Sequence, residues 1–396
     1  MIMANKLYFE HPSLKKWFTK ITEIKEVDSL FHIKLEDSSF YPEGGGQPSD
    51  FGTINGIEIV DLIEDDEEVI HVLNEKPDTN EATCEINWDR RIDHMQHHSG
   101  QHLLSATIIE LFDIPTVSFH LGKETVTIDL DTPSLSAEQL NQIERAVYEK
   151  ILANIEIKTY FVNKEELNTL QLRKLPKVED NIRIVEILHT DLSACCGTHV
   201  KQIGEIGLIK LIKTEKVRQT TRLHFKCGYR ALEEVQKTSK TLSNINQLFN
   251  THTDQVKDKV ETTINEFKEA QKEIEKMKET IFNSISNELL LNATNDIIIK
   301  TFEEESVKDL QLLAKTIQSK KPSLLVFSSV KEQKLLLINQ LKNDVHCGEL
   351  IKNLLKQVEG KGGGGAGQAQ ATFETSIQLN EAENTLKRIL LSQVNV

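Results

Sequence analysis

Asp93-His94-Met95-Gln96-His97-His98-Ser99-Gly100-Gln101-His102-Leu103-Leu104 is the stretch on which the reading of this chain turns. Leu103, Leu104, Ile108, Leu111 and Phe112 recur at helical spacing, which predicts a helix from about Arg90 to Phe112 that ends before Pro115. Residues four apart on a helix share a face, so His98 and His102 can aim two imidazoles at one point. His94 and His98 form a competing pair, and a merely polar helix face explains a lone pair of this kind equally well. The second half of the pattern is Cys195-Cys196-Gly197-Thr198-His199, a thiol and an imidazole again four apart. Borderline-soft zinc prefers N and S donors. The two pairs together make a four-ligand set for Zn2+: His98, His102, Cys195 and His199. Cys196 is an alternative to Cys195, and a small buried cysteine pair is the plainer reading of both.

Several chemistries are excluded by the same stretches. There is no HExxH, so the helix lacks the internal glutamate base of zinc proteases. No GxSxG and no GxxxxGK[ST] occurs, and Met95 interrupts what would otherwise begin a DHH motif at Asp93-His94. The several acidic motifs of a two-metal site are missing.

Before the helix, residues 1–88 read as a β-rich, barrel-like domain. Strand patterning falls on Trp17–Ile24, Phe31–Leu35, Gly56–Leu62 and Glu68–Leu73. Tyr41-Pro42-Glu43-Gly44-Gly45-Gly46-Gln47-Pro48 interrupts them, and successive glycines there suggest a backbone passing close to something. Residues 89–228 interleave helix and strand, an α+β zinc-binding domain. Strands are expected at Val117–Phe119, Thr125–Leu130, Ile157–Val162, Ile182–Ile187 and Gly207–Ile212. A second helix, Ser136–Ile155, has Ser136 as N-cap and Gln139 three residues on.

Residues 229–295 change character. No proline follows Gly228 until Pro322, and no glycine until Gly348. Near-heptad apolar spacing predicts one long helix or a helical hairpin, with a break near Asn250–Thr253 and a coiled-coil seam able to pair two copies. A solvent-bridging single helix is the alternative. Residues 296–396 make a C-terminal α/β module. Its strands are expected at Asp296–Lys300, Ser323–Phe327 and Leu335–Asn339, and its helices at Val307–Ser319, Gly348–Val358 and Asn380–Ser392. The run Gly360-Lys361-Gly362-Gly363-Gly364-Gly365-Ala366-Gly367 reads as a loop whose N–H groups can approach a phosphate or a partner, or else as a flexible linker.

Composition sets the outer bounds. The 396 residues suit two or three domains, and 38% hydrophobic residues suffice for real cores. No apolar run approaches the ~18 residues of a membrane span, and the opening residues show neither signal peptide nor anchor. Five sparse cysteines, Cys84, Cys195, Cys196, Cys227 and Cys347, argue against a disulfide framework and for a reducing cytoplasm. The net charge of −14 counts against a general nucleic-acid coat. Arg90, Arg91, Arg218, Arg222, Lys226 and Arg230 still suffice for one local basic surface, or else are scattered solvated charges.

Four segments together are specific. Phe40-Tyr-Pro-Glu-Gly-Gly-Gly-Gln-Pro48, then His98-x-x-x-His102-Leu-Leu, then Cys195-Cys-Gly-Thr-His-Val200, then Gly360-Lys-Gly-Gly-Gly-Gly365 stand in this order along most of the chain. The chain resembles the editing half of alanyl-tRNA synthetase and its freestanding relatives, the AlaX proteins, in their long form. Cys196 stands where the family usually has glycine, Ser99 where threonine is common, and Gln368 where a methionine precedes Ala-Gln. The resemblance implies a zinc hydrolase that clears Ser or Gly from alanine tRNA in trans, with no room for an ATP-binding catalytic domain. It also places the Tyr41–Gln47 loop beside the zinc pocket, which makes Gln47 and Thr198 candidate substrate contacts, Gln47 being otherwise a surface turn residue; His120, ahead of a strand, can line the same pocket or be an exposed strand histidine. A C-terminal module of the type associated with DHH phosphoesterases follows. There Gly362, Gly363, Gly364 and Gly365 are candidate RNA contacts, and the helices can mediate a homodimer. Residue chemistry alone leaves three rivals: a zinc deacylase of a small non-tRNA substrate, a non-catalytic tRNA-binding zinc protein, and a structural zinc protein.

Overall fold

The computed structural model describes residues 5–65, 68–174, 181–341 and 343–394. It divides into two compact units, Met1–Ile245 and Asn246–Val396. The architecture is mixed α and β throughout.

Six strands early in the first unit belong to one sheet: β1 (Lys16–Val27), β2 (Leu30–Leu35), β3 (Gly52–Ile54), β4 (Ile57–Asp65), β5 (Glu68–Leu73) and β6 (Glu81–Ile86). They pair in the order β1-β2-β5-β4-β3-β6, and β6 returns to pair with β1, so the sheet closes into a barrel. Closure leaves no edge to protect. Alternate residues of β1 turn inward, burying Trp17, Thr19 and Ile21. The three-residue β3 and the half-polar β6 escaped the sequence reading, because neither carries a clean apolar alternation.

The glycines of the Tyr41–Pro48 segment form a tight turn. Gly44 and Gln47 exchange both backbone hydrogen bonds, at 3.0 and 2.9 Å. Between them Gly45 and Gly46 have φ of +57° and +83°, the doubly left-handed backbone of a two-residue hairpin turn that favours glycine.

Helix α1 (Trp88–Phe112) follows, capped by Asn87, whose side chain accepts from the Arg90 N–H. It is buried without interruption from His94 to Ile108. Around it stand β7 (Thr116–Leu121), β8 (Val126–Leu130), α2 (Ala137–Ala153), β9 (Ile157–Val162), β10 (Ile182–Ile187), β11 (Asp191–Ala194), β12 (Ile209–Val217) and β13 (Thr220–Cys227). These strands form a four-stranded sheet, β12-β13-β8-β7, and a three-stranded sheet, β9-β10-β11. The expected Ser136/Gln139 capping box opens α2, and left-handed Asn154 closes it.

Helix α3 (Gly228–Phe249) ends where Asn250 takes a φ of +48°, within the stretch expected to break. In the second unit, α4 (Val256–Leu291) leaves Ile264, Phe267 and Ile274 in solvent, so no heptad seam is packed along these residues. A five-stranded sheet follows: β14 (Ile297–Phe302), β15 (Leu324–Ser329), β16 (Lys334–Asn339), β17 (Lys361–Gly364) and β18 (Gln368–Thr372), in the order β14-β15-β16-β18-β17. Helices α5 (Val307–Lys320), α6 (Cys347–Leu354) and α7 (Ser376–Val394) accompany it.

The C-terminal glycine run is a correction to the expected loop, since it is the edge strand β17. A Cβ on Gly362 would lie 2.3 Å from the Gln370 carbonyl oxygen, and one on Gly364 2.4 Å from the Ala369 Cα. Glycine is needed there for close approach in a hairpin, not for looseness. The start of α6 is anchored to the same hairpin, with the Gly348 N–H donating to the Gly365 carbonyl at 2.9 Å.

Candidate metal centre

Helix α1 carries His98 and His102 one turn apart on its buried face. The second pair arrives from β11, whose chain runs directly into Cys195 and on to His199. One donor atom from each of His98, His102, Cys195 and His199 lies within 4.8 Å of all the others. The Cys195 Sγ stands 3.3 Å from His98 Nε2 and 3.4 Å from His199 Nε2. A tetrahedron with ~2.0–2.1 Å metal–nitrogen and ~2.3 Å metal–sulfur bonds has edges of roughly 3.3–3.6 Å, so the donor set fits zinc. Cys195, not the exposed Cys196, lies with the three imidazoles.

The three imidazoles are held by their other nitrogens. His98 Nδ1 lies 2.9 Å from Gln47 Oε1, His102 Nδ1 2.7 Å from Asp191 Oδ2, and His199 Nδ1 3.1 Å from Ser99 Oγ. A proton kept on Nδ1 leaves the Nε2 lone pair free for a metal, the arrangement metal-ligating histidines usually show. Gln47 is sealed from solvent, donates to Thr198 Oγ1 at 2.8 Å and accepts from the Thr198 N–H at 3.0 Å. Gln47 and Thr198 therefore brace the two halves of the centre against each other.

Charge concentrates around the ligands. Burial alone pushes the Cys195 thiol up, but the His98 and His199 imidazoles, with a hydrogen bond from His102, bring it well below its ordinary value. Burial lowers His102, and the Asp191 carboxylate and the Cys195 sulfur together outweigh this and raise it to about 9. Burial holds His199 down to about 3. Asp191 itself, though buried, is kept far below the carboxylate range by His102 and Arg173, whose Nε donates to it at 2.6 Å. Arg183 Nη1 donates to the carbonyls of Cys195 and Gly197, at 2.9 Å each, and so fixes the turn between the ligands.

A second clamp secures the glycine turn. Asp50 accepts from the Tyr41 N–H at 2.7 Å and receives the Arg91 Nε at 3.0 Å on both oxygens. Arg91 is fully buried and also donates to the Pro12 carbonyl at 2.8 Å. This corrects the expectation of one basic surface: Arg91 is internal, while Arg222, Lys226 and Arg230 are paired with Asp129, Glu234 and Asp93.

A small cleft of 180 Å³ opens onto His98, His102 and Cys195. Gly45, Gln101, Phe119 and Arg173 help to line it. His120, next to Phe119 on β7, turns to a different cleft, shared with Pro48 and His94. Residues 362–365 lie in the second unit, exposed. Asp191, Arg173, Arg183 and the Asp50–Arg91 pair were missed by sequence reasoning. Asp191 lies 89 residues from its histidine, and no spacing rule links them.

Residues 182–223 match the family model of the threonyl and alanyl tRNA synthetase second additional domain, and residues 294–392 match the DHHA1 domain. The fold and site thus define a chain that joins a synthetase-type additional domain to a DHHA1 domain. Alanyl-tRNA editing protein Aarsd1 of Danio rerio is 30% identical, over 92% of this chain and 89% of its own length. Alanyl-tRNA editing protein AlaX-L of Pyrococcus horikoshii is 30% identical, over 94% of this chain and 95% of its own. Alanine–tRNA ligase of Methanobrevibacter smithii is 29% identical over 96% of this chain, which spans only 45% of that ligase. The chain belongs to the alanyl-tRNA editing protein family. Among the described residues, no helix is long and apolar enough to cross a membrane.

Proposed function

We propose that this protein is a zinc-dependent aminoacyl-tRNA deacylase that removes wrongly attached Ser or Gly from alanine tRNA in trans. The observation that carries the reading is the convergence of His98, His102, Cys195 and His199 at the mouth of a small cleft. A pocket built for alanine cannot exclude glycine by size and gains little against serine from one hydroxyl, so a second sieve is needed. A 180 Å³ cleft is below the ~300–1,000 Å³ of a drug-sized pocket and suits a small aminoacyl group.

Zinc held by these side chains would, at a fifth or vacated position, supply Lewis acidity or a fixed point for the substrate's amino group or terminal ribose. The chain's own residues do the rest. Gln47, Ser99 and Asp191 keep each ligand ring in one tautomer and one orientation. The ester enters beside Gln101 and Arg173, where the guanidinium is already placed and charge developing on the carbonyl oxygen meets a fixed dipole field. We assign Gln47 and Thr198 to positioning the ligands. The exposed Gly362, Gly363, Gly364 and Gly365 are assigned to RNA contact, with the unpacked apolar positions of α4 as the surface for a homodimer.

Deacylation of Ser-, Gly- and Ala-charged alanine tRNA by the wild-type protein and by Cys195→Ala tests the reading. Loss of Ser or Gly with Ala spared, abolished in the variant, is the expected result. No turnover of any of them by a protein that holds zinc stoichiometrically would overturn it in favour of a small-substrate or structural zinc protein.

A further inference from the structure

The first unit holds a second cleft, of 970 Å³, that the metal centre does not use. Its lining includes Phe51, Arg90, His94, His120, Lys123 and Tyr229. The walls are preformed. Arg230 pairs with Asp93 of α1 and donates to the Gly122 and Lys123 carbonyls at 2.9 and 3.0 Å, tying the β7–β8 turn to both helices. Tyr229 is 70% exposed and Phe51 43% exposed. The Arg90 guanidinium lies over the Phe51 ring at 4.2 Å. Aromatic faces beside arginine are what successive unpaired bases stack on.

A second observation points to a ligand. His94 is only 3% exposed, yet its Nδ1 is sealed without a hydrogen-bond partner. A buried N–H is costly to leave unpaired, so the proton belongs on Nε2, which leaves one N–H for the cleft. Charge narrows the occupant further. Asp89 and Glu233 in the lining offset Arg90 and Lys123, while Asp93 and Arg230 neutralise each other. A cleft so balanced does not concentrate a polyanion, but it suits a flat base with edge acceptors.

The position completes the argument. Three of the segments that line this cleft also line the metal cleft a few residues along: Pro48 and Gly45, His120 and Phe119, His94 and His98. Four residues of helix rise about 6 Å, comparable to one nucleotide step. We propose that this cleft stacks a base of the unpaired 3′ strand of the same RNA whose terminal ester sits at the metal centre. Tyr229 is the stacking platform and His94 the donor to the base edge. The proposal rests on the deacylase reading given above.

The test compares two substrates: alanine tRNA charged with serine, and the seryl ester of adenosine, which carries the reacting bond without the preceding nucleotides. Wild-type hydrolysis of the charged tRNA checks the underlying reading first; without it both readings fall. Given that activity, Tyr229→Ala is expected to raise KM for the tRNA by ~5–150-fold, the span of ~1–3 kcal/mol of stacking, with kcat kept. Tyr229→Phe is expected to stay near wild type, and hydrolysis of seryl-adenosine to be the same in all three proteins. A tRNA KM within twofold of wild type in Tyr229→Ala overturns the proposal and leaves the deacylase reading intact. An equal loss on both substrates overturns it too, as does an unchanged tRNA KM with lost binding of adenosine 5′-monophosphate, which would make the cleft a mononucleotide site.

Discussion

Asp191 shows how a single residue outside the ligand set governs the centre. Its carboxylate orients His102, and Arg173 and Ser193 hold it in turn. Asp191→Asn is expected to weaken metal affinity by ~10–100-fold, as outer partners of ligating histidines generally do, and Gln47→Ala similarly through His98. Competition with a chelator measures both. His71 supplies a pH prediction at the same scale. It is fully buried in the barrel, 2.8 Å from Ser38 Oγ, and burial lowers it from 6.5 to about 4. The unfolded chain therefore takes up this proton first as pH falls. The contribution is intact above pH 6.5 and is lost between about 6.5 and 4, roughly 3 kcal/mol in all. Urea midpoints at pH 7 and pH 5 should show the drop, with a shallower slope in His71→Gln.

Elements meet at glycines in this molecule. A Cβ on Gly197 would fall 2.0 Å from His98 Cε1, so the ligand turn fits against α1 only without a side chain. Gly197→Ala is expected to displace His98, with loss of stoichiometric zinc in the folded protein; zinc retained at one equivalent would contradict the account. Gly100 is the corresponding contact lower on the helix, since a Cβ there would fall 2.4 Å from Cys227 Sγ. Helix α1 is unusual in burying polar residues along much of its length, and a cap at each end compensates little for that. Its stability rests on partners that pair most of these polar groups, such as Gln96 with the Glu205 carbonyl and His97 with the Cys227 N–H, His94 Nδ1 being an exception.

Across the whole molecule, buried clusters separate by unit. Those around Leu103 and Ile33 lie in the first, and those around Val326 and Leu313 lie in the second. Two units that share no buried cluster predict two calorimetric transitions. A metal bound only by the folded first unit stabilises that unit by mass action. Chelation is therefore expected to lower one transition and leave the other in place, and a uniform shift of both would contradict the division.

The sequence by itself determined the pieces that depend on short range. That His98, His102, Cys195 and His199 could meet was legible because each pair is four residues apart, and the structure brings the four together. The Ser136 cap, the break at Asn250 and most strands of both units were legible because local patterning encodes them. Tertiary structure alone decided what joins distant segments. It placed Cys195 rather than Cys196 beside the imidazoles, brought Asp191 to His102, sealed Gln47 behind His98, buried Arg91 against Asp50, and turned the C-terminal glycines into an edge strand. The physical reason is that hydrophobic period and turn chemistry act over a few residues. Pairing of buried polar groups is settled only when the chain closes around them, and any acceptor brought within reach satisfies the donor wherever it lies in the sequence.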